Sequence, residues 1–257
     1  MNVWTVTNQK GGVGKTTSVV ALGGLLAEKG QRVLMVDLDP HGSLTSYFRF
    51  DPDDIEYSIY TLFQNVVAKT PLHPERLISQ TGMSGLDLLP ASTALATLDK
   101  QFGVKGGMGL VLSTALQALD TQYDYALIDT PPMLGVLMVN ALAACNHLII
   151  PVQTEFLALK GLERMLNTLN MIMKSTKKDI AYSVVPTLFD RRTKASLDSL
   201  RALREKYPEN TWSSAIPVDT RFRDASAAGV PPSVFAPSSR GVDAYQSFLE
   251  QLQVTSP

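Results

Sequence analysis

Cysteine is nearly absent. Cys145 is the only one in 257 residues, so no internal disulfide can form and the chain suits a reducing compartment. Charge is sparse and balanced: Asp, Glu, Lys and Arg are 18% of the residues and the formal net charge is −1. No global field therefore draws the protein to nucleic acid or anionic lipid, and any such contact needs a local patch. No apolar run reaches the roughly eighteen residues that crossing a bilayer requires. No basic leader precedes the first apolar stretch, so a secretory signal is not expected and the expected compartment is the cytoplasm. Internal repeats and low-complexity linkers are also missing. Apolar residues, in contrast, make up 45% of the chain, enough to bury a sheet on both faces. The length fits one large α/β domain over residues 1–257.

What is present is a glycine-rich loop, Lys10-Gly-Gly-Val-Gly-Lys-Thr-Thr17, between a short apolar run and a segment with helical spacing. Strand, glycine loop and helix together turn backbone N–H groups toward a phosphate. The amides of Gly11, Gly12, Val13 and Gly14 are candidates for that cradle, because glycine lets a ligand approach without a Cβ in the way. Lys15 can reach the outer phosphates, and the Thr16 hydroxyl can ligate Mg²⁺. The ordinary pattern G-x-x-x-x-G-K-[ST] fails at its first glycine, where Gln9 stands, and a second lysine, Lys10, appears instead. This is the deviant form of the Walker A loop.

Short apolar runs at 3–7, 32–37, 86–89, 125–129, 147–152 and 180–186 alternate with helical patterns at 16–29, 109–120, 134–144, 157–173, 194–206 and 240–253. That alternation predicts a doubly wound, mostly parallel sheet with helices on both faces, and ligands beyond the carboxyl ends of its strands. Residues 51–109 are the least regular. Two strand ends carry acids. Asp129 closes one apolar run, the Walker B position, where a carboxylate can hold Mg²⁺. Asp37 and Asp39 close another, and two buried carboxylates need a cation or donors to offset their cost. His41, next in that turn, reads as an ordinary polar residue with no catalytic assignment.

Lys10–Thr17, Val36-Asp-Leu-Asp-Pro-His-Gly42 and Ala126-Leu-Ile-Asp-Thr-Pro-Pro132 together resemble the ParA/MinD group of deviant Walker ATPases. The similarity continues through Asp190-Arg-Arg-Thr193, Ile216-Pro-Val-Asp219 and Ser238-Ser-Arg-Gly241. The resemblance implies a Mg²⁺-dependent ATPase in which Lys15 and Thr16 serve the outer phosphates and the metal. It implies that Thr17 contacts the α-phosphate, that Asp39 positions the attacking water beside the metal, and that Asp37 supports the metal site. It further implies that Lys10 reaches the phosphates of a partner's nucleotide, so that ATP joins two copies and hydrolysis parts them, in the manner of a trans-acting arginine finger. Thr187, Pro217 and Asp219 match positions that flank the base.

Family members use the ATP dimer to bind the nucleoid, the membrane or a polar scaffold, so an adaptor or scaffold partner is implied. The C-terminal segment has Phe248, Leu249 and Leu252 but no Lys or Arg after Arg240, so it reads as a helix packed on the core rather than a lipid anchor. For DNA, Arg191, Arg192 and Arg221 are the candidates, with Arg192 and Arg221 best matching the family and Lys194 and Arg223 nearby. They imply weak, non-specific binding once a dimer doubles them. Val218 and Asp219 stand where a basic residue is common, which counts against strong binding, and 191–194 reads equally as a solvated helix start. No helix-turn-helix precedes the loop, so operator-specific repression is not expected. Stretches such as Leu38-Asp-Pro-His-Gly-Ser-Leu-Thr-Ser-Tyr47 and Pro151-Val-Gln-Thr-Glu-Phe-Leu157 are similar to the ParC-type branch associated with polar placement of chemotaxis arrays. Plasmid or chromosome partition uses the same chemistry. Two further classes are a nucleotide-locked scaffold that does not hydrolyse, against which Asp39 speaks, and a metabolic P-loop enzyme. A reductase of that kind needs two cluster-ligating cysteines per subunit, and this chain has one.

Overall fold

Neighbouring residues on the strands point to opposite faces, and here both directions are apolar. The computed structural model describes residues 1–98, 108–176 and 179–255. Its strands are β1 (Asn2–Val6), β2 (Val33–Asp37), β3 (Ser79–Gln80), β4 (Leu86–Leu89), β5 (Tyr125–Asp129), β6 (His147–Gln153) and β7 (Ala181–Thr187). They form one sheet in the order β3-β4-β2-β5-β1-β6-β7, parallel throughout except for β3, which runs antiparallel to β4. The described helices are α1 (Lys15–Glu28), α2 (Ser43–Tyr47), α3 (Ile59–Ala68), α4 (Val111–Ala118), α5 (Val136–Ala144), α6 (Phe156–Thr176), α7 (Lys194–Lys206), α8 (Arg221–Ala228), α9 (Pro232–Phe235) and α10 (Arg240–Thr255).

On one face Trp4, Met35, Leu127 and Ile149 pack with Leu22 and Leu26 of α1 and with Phe248, Leu249 and Leu252 of α10. On the other, Val3, Leu34, Val36, Ile128 and Ile150 pack with Phe63 of α3, Leu112 of α4, Ala141 of α5 and Leu162 of α6. The inner strands β1, β2, β5 and β6 are thus sealed on both sides, which explains their continuous apolar sequences, whereas the two-residue edge strand β3 is polar and partly exposed. Cys145 is buried in the second cluster. Phe248, Leu249 and Leu252 of α10 are buried, while its last turn is largely exposed, and among the described residues no helix is long and apolar enough to cross a membrane.

The six expected strands fall within a residue or two of those observed. Helices α2, α3, α8 and α9 were not expected. Helix α3 lies in the stretch read as irregular, part of which, 99–107, lies outside the described residues. Its sequence, Ile-Tyr-Thr-Leu-Phe-Gln-Asn-Val-Val-Ala, is rich in β-branched and aromatic residues that favour strands. Burial of Ile59, Leu62 and Phe63, spaced i, i+3, i+4, makes it a helix nonetheless.

Register brings the functional ends together. Val6 pairs with Asp129, Asp37 pairs with Asp129, and Val6 pairs with Ile149. The loops after β1, β2, β5 and β6 therefore open at one edge.

Candidate phosphate and nucleotide site

The glycine loop leaves β1 and is pinned at both ends. The Asn8 side-chain amide donates to the carbonyl of Pro151 at 2.8 Å, and the Lys10 N–H donates to Asn8 Oδ1 at 2.9 Å. Gly12 and Gly14 have φ of 73° and 93°, a left-handed backbone that favours glycine. The Thr187 hydroxyl, at the tip of β7, donates to the Val13 carbonyl at 2.8 Å. Gly14 is the N-cap of α1 and supplies no side-chain cap. The first amides of that helix remain donors for an anion, reinforced by the helix dipole. A Cβ added at Gly11, Gly12 or Gly14 would meet no protein atom within 4 Å, so space beside the loop is open. Lys15 is buried at the head of α1.

The acids differ sharply. Asp37 is fully buried, and donors meet both of its oxygens: the Thr45 N–H at 2.8 Å and hydroxyl at 2.7 Å on Oδ2, and the Asp39 N–H at 3.1 Å on Oδ1. These bonds fasten the turn into α2. Asp129 accepts from the Thr16 hydroxyl at 2.5 Å on Oδ2, while its buried Oδ1 has no partner among the described residues. Burial pushes the Asp129 carboxyl up to about 8, with the Asp37 charge adding to the rise and the Thr16 bond opposing it. Burial likewise raises Asp37 to about 6, against the hydrogen bonds from Thr45. A buried acid with an orphan oxygen, touching a threonine at a helix N-terminus, is a fitting oxygen donor set for a hard cation. Asp39 is only 13% exposed and accepts from His41, both from its N–H at 3.0 Å and from its ring Nδ1 at 2.9 Å.

Lys10 is held by the exit of β6. Its ammonium pairs with Glu155 and donates to Gln153 Oε1 at 3.1 Å, with about a third of its side chain exposed. Glu155 and Gln153 were not among the residues expected from sequence. They lie more than 140 positions away, and the β1–β6 register alone puts them beside the loop.

Next to the loop is a cavity of about 460 Å³ that brings together Val13, Gly14, Thr16 and Thr17 with Thr187, Pro217 and Asp219. Its aromatic walls, Tyr47, Phe222 and Tyr245, were missed; they come from three separate helices. Asp219 accepts from the Arg221 N–H at 3.0 Å and the Gly241 N–H at 2.9 Å, so its carboxylate clamps two backbone segments. Gly241 has to be glycine there, since a Cβ would lie 2.5 Å from Phe222 and 3.0 Å from the Asp219 carboxylate.

The arginines lie apart from this cavity's core. Arg191 and Arg221 are exposed on segments linked by the Phe189–Pro217 bridge. Arg192 is exposed as well, but its guanidinium forms a two-bond pair with Asp190 at 2.9 and 2.8 Å, which cancels much of its charge.

A family profile described as an AAA domain, AAA_31, matches residues 1–182. The sporulation initiation inhibitor protein Soj of Bacillus subtilis is 35% identical over 96% of both chains. The chain belongs to the ParA/MinD-type AAA_31 family of P-loop ATPases. A chromosome partitioning protein ParA of Caulobacter vibrioides is 32% identical, covering 98% of this chain and 94% of that one. Among solved structures, cobyrinic acid a,c-diamide synthase of Mycobacterium smegmatis with bound ATP analogue and magnesium superposes with a TM-score of 0.85. It is 34% identical over 98% of this chain and 94% of that one. Relatives within the family thus carry names from both partition and metabolism.

Proposed function

We propose that this protein is a magnesium-dependent ATPase that dimerises on ATP and uses hydrolysis to time the positioning of a large cellular cargo. The observation that carries the reading is the second lysine. Lys15 is buried at the helix head, whereas Lys10 stands partly exposed at the loop's outer side, on Glu155. Such a lysine is available to a neighbouring molecule. The loop after β5 exposes Met133 and Leu134, and the first turn of α6, next to Glu155, exposes Phe156 and Leu157, an apolar rim of the kind that marks contact surfaces. A second copy meeting this edge would bring its own Lys10 to these phosphates.

Within one subunit the roles follow from position. The loop amides and Lys15 would hold the outer phosphates, and Thr17 the α-phosphate. Thr16, Asp129 and Asp39 would hold Mg²⁺, which neutralises phosphate charge when bound. Asp39 would orient the attacking water. Thr187, Pro217 and Asp219 line the space for the base. Phosphoryl transfer asks chiefly for such positioning and charge neutralisation.

For the cargo, polar chemotaxis arrays are the first reading, supported by the sequence stretches quoted above, with an adaptor or polar scaffold as partner. Plasmid or chromosome partition is the second. The name of the chromosome partitioning relative ParA and the exposed Arg191 and Arg221 favour it, and the Arg192–Asp190 pair speaks against strong DNA contact. A metabolic amide-forming reading has the synthase relative in its favour. Its mark would be turnover that depends on a carboxylic acid substrate rather than on dimerisation. Fluorescence localisation separates the first two. A polar focus supports array placement, a nucleoid haze supports partition, and even distribution at normal expression contradicts both.

A further inference from the structure

We infer that His41 is a positioning residue for Asp39, an inference that rests on the hydrolysis proposed above. Asp39, Pro40, His41 and Gly42 form a tight turn, closed by the Gly42 N–H donating to the Asp39 carbonyl at 2.8 Å. The residue types are those a turn wants: Asp first, Pro second, Gly last. Gly42 is in the left-handed region with φ 60°, and a Cβ there would lie 2.5 Å from Pro52. The turn is therefore fixed from outside, and it swings the third residue back over the first.

One oxygen of Asp39 receives both bonds that result. Oδ1 accepts the His41 N–H at 3.0 Å and faces the imidazole Nδ1 at 2.9 Å. For the ring contact to be a hydrogen bond, Nδ1 carries the hydrogen. Oδ2 makes no hydrogen bond among the described residues, so its lone pairs are open. From the inner side, the Asp39 N–H donates to Asp37, which Thr45 holds in turn. Asp37 fixes the backbone of Asp39, and the ring of His41 fixes the rotation of its carboxylate. A carboxylate held by one oxygen presents the other in a single direction, which is what orienting a water demands.

The ring is 82% exposed, so removing it disturbs little packing. His41→Ala also leaves the backbone N–H bond to Oδ1 in place, and isolates the imidazole. The expected result is a kcat for phosphate release about fivefold lower, the size of one lost hydrogen bond, with affinity for a fluorescent ATP analogue unchanged. His41→Asn, which offers an N–H donor at the same δ position, should restore most of the rate. His41→Asp, which sets a second carboxylate against the first, should fall below the alanine variant. Equal kcat in wild type and His41→Ala would overturn the assignment, as would a loss that asparagine fails to repair or one matched by lost nucleotide affinity. Wild-type protein that binds ATP without ever releasing phosphate would overturn the hydrolysis reading itself, and this inference with it.

Discussion

At the phosphate loop, eight consecutive residues supply nearly every group that matters: two left-handed glycines, a buried lysine, and a threonine bonded to Asp129. In the cavity beside it, the lining comes from residues 47, 187, 217, 222 and 245, carried by a strand, a loop and three helices. The first region is made by local backbone chemistry, the second by long-range packing. A change in the loop should therefore act as a switch on binding, and a change in the cavity should act by degree.

The largest effect is expected from Lys15→Ala. Losing the buried charge at the head of α1 should lower ATP affinity at least about a hundredfold, read by fluorescence titration of an ATP analogue. Unchanged affinity would break the comparison at once, because the loop would then not be the anchor.

A pH effect belongs to the same end. Asp129 and Asp37 are raised to about 8 and about 6 without ligand, above their value in the unfolded chain, near 4. Their protonation thus contributes stability that is complete below about pH 4 and is lost as pH rises through about 6 to about 8. A bound cation takes the proton's place. The melting temperature gained from Mg²⁺ with ADP should be larger at pH 8 than at pH 6, and Asp129→Asn should flatten the difference. An equal gain at both pH values in the wild type would mean that the orphan oxygen of Asp129 does not meet the metal.

Between the two regions sits Thr187, whose hydroxyl caps the Val13 carbonyl. Thr187→Val keeps the shape and leaves that carbonyl without its partner. The expected cost is about 1–3 kcal/mol of stability, measured by denaturant unfolding, with ATP affinity lowered by less than tenfold. A hundredfold loss of affinity with unchanged stability would place Thr187 on the nucleotide instead.

The same contrast explains what could be read from the chain alone. Both-sided burial leaves continuous apolar runs, so β1, β2, β5 and β6 were legible, and so were the acids that end β2 and β5. The phosphate loop was legible because its geometry depends on glycine at fixed spacing. Helix α3 was not, since β-branched residues disguised it. Tyr47, Phe222 and Tyr245 were not, since nothing in their local sequence marks a wall of a cavity. Glu155 was quoted only as part of a similar stretch; its pairing with Lys10 exists through sheet register. Asp37 was expected to support the metal site. Its oxygens are met by Thr45 and Asp39, so any support it gives is indirect, a difference between two similar aspartates that only the neighbouring donors reveal.

The central claim is that Lys10 leaves Glu155 to serve a second subunit's phosphates. Size-exclusion chromatography with light scattering, in Mg²⁺ and a non-hydrolysable ATP analogue, tests it most directly. The account predicts that the 28.0 kDa mass doubles for the wild type, stays single for Lys10→Ala with the analogue still bound, and doubles at lower analogue concentration for Glu155→Gln. Wild-type protein that remains at the single mass with the analogue bound would contradict it.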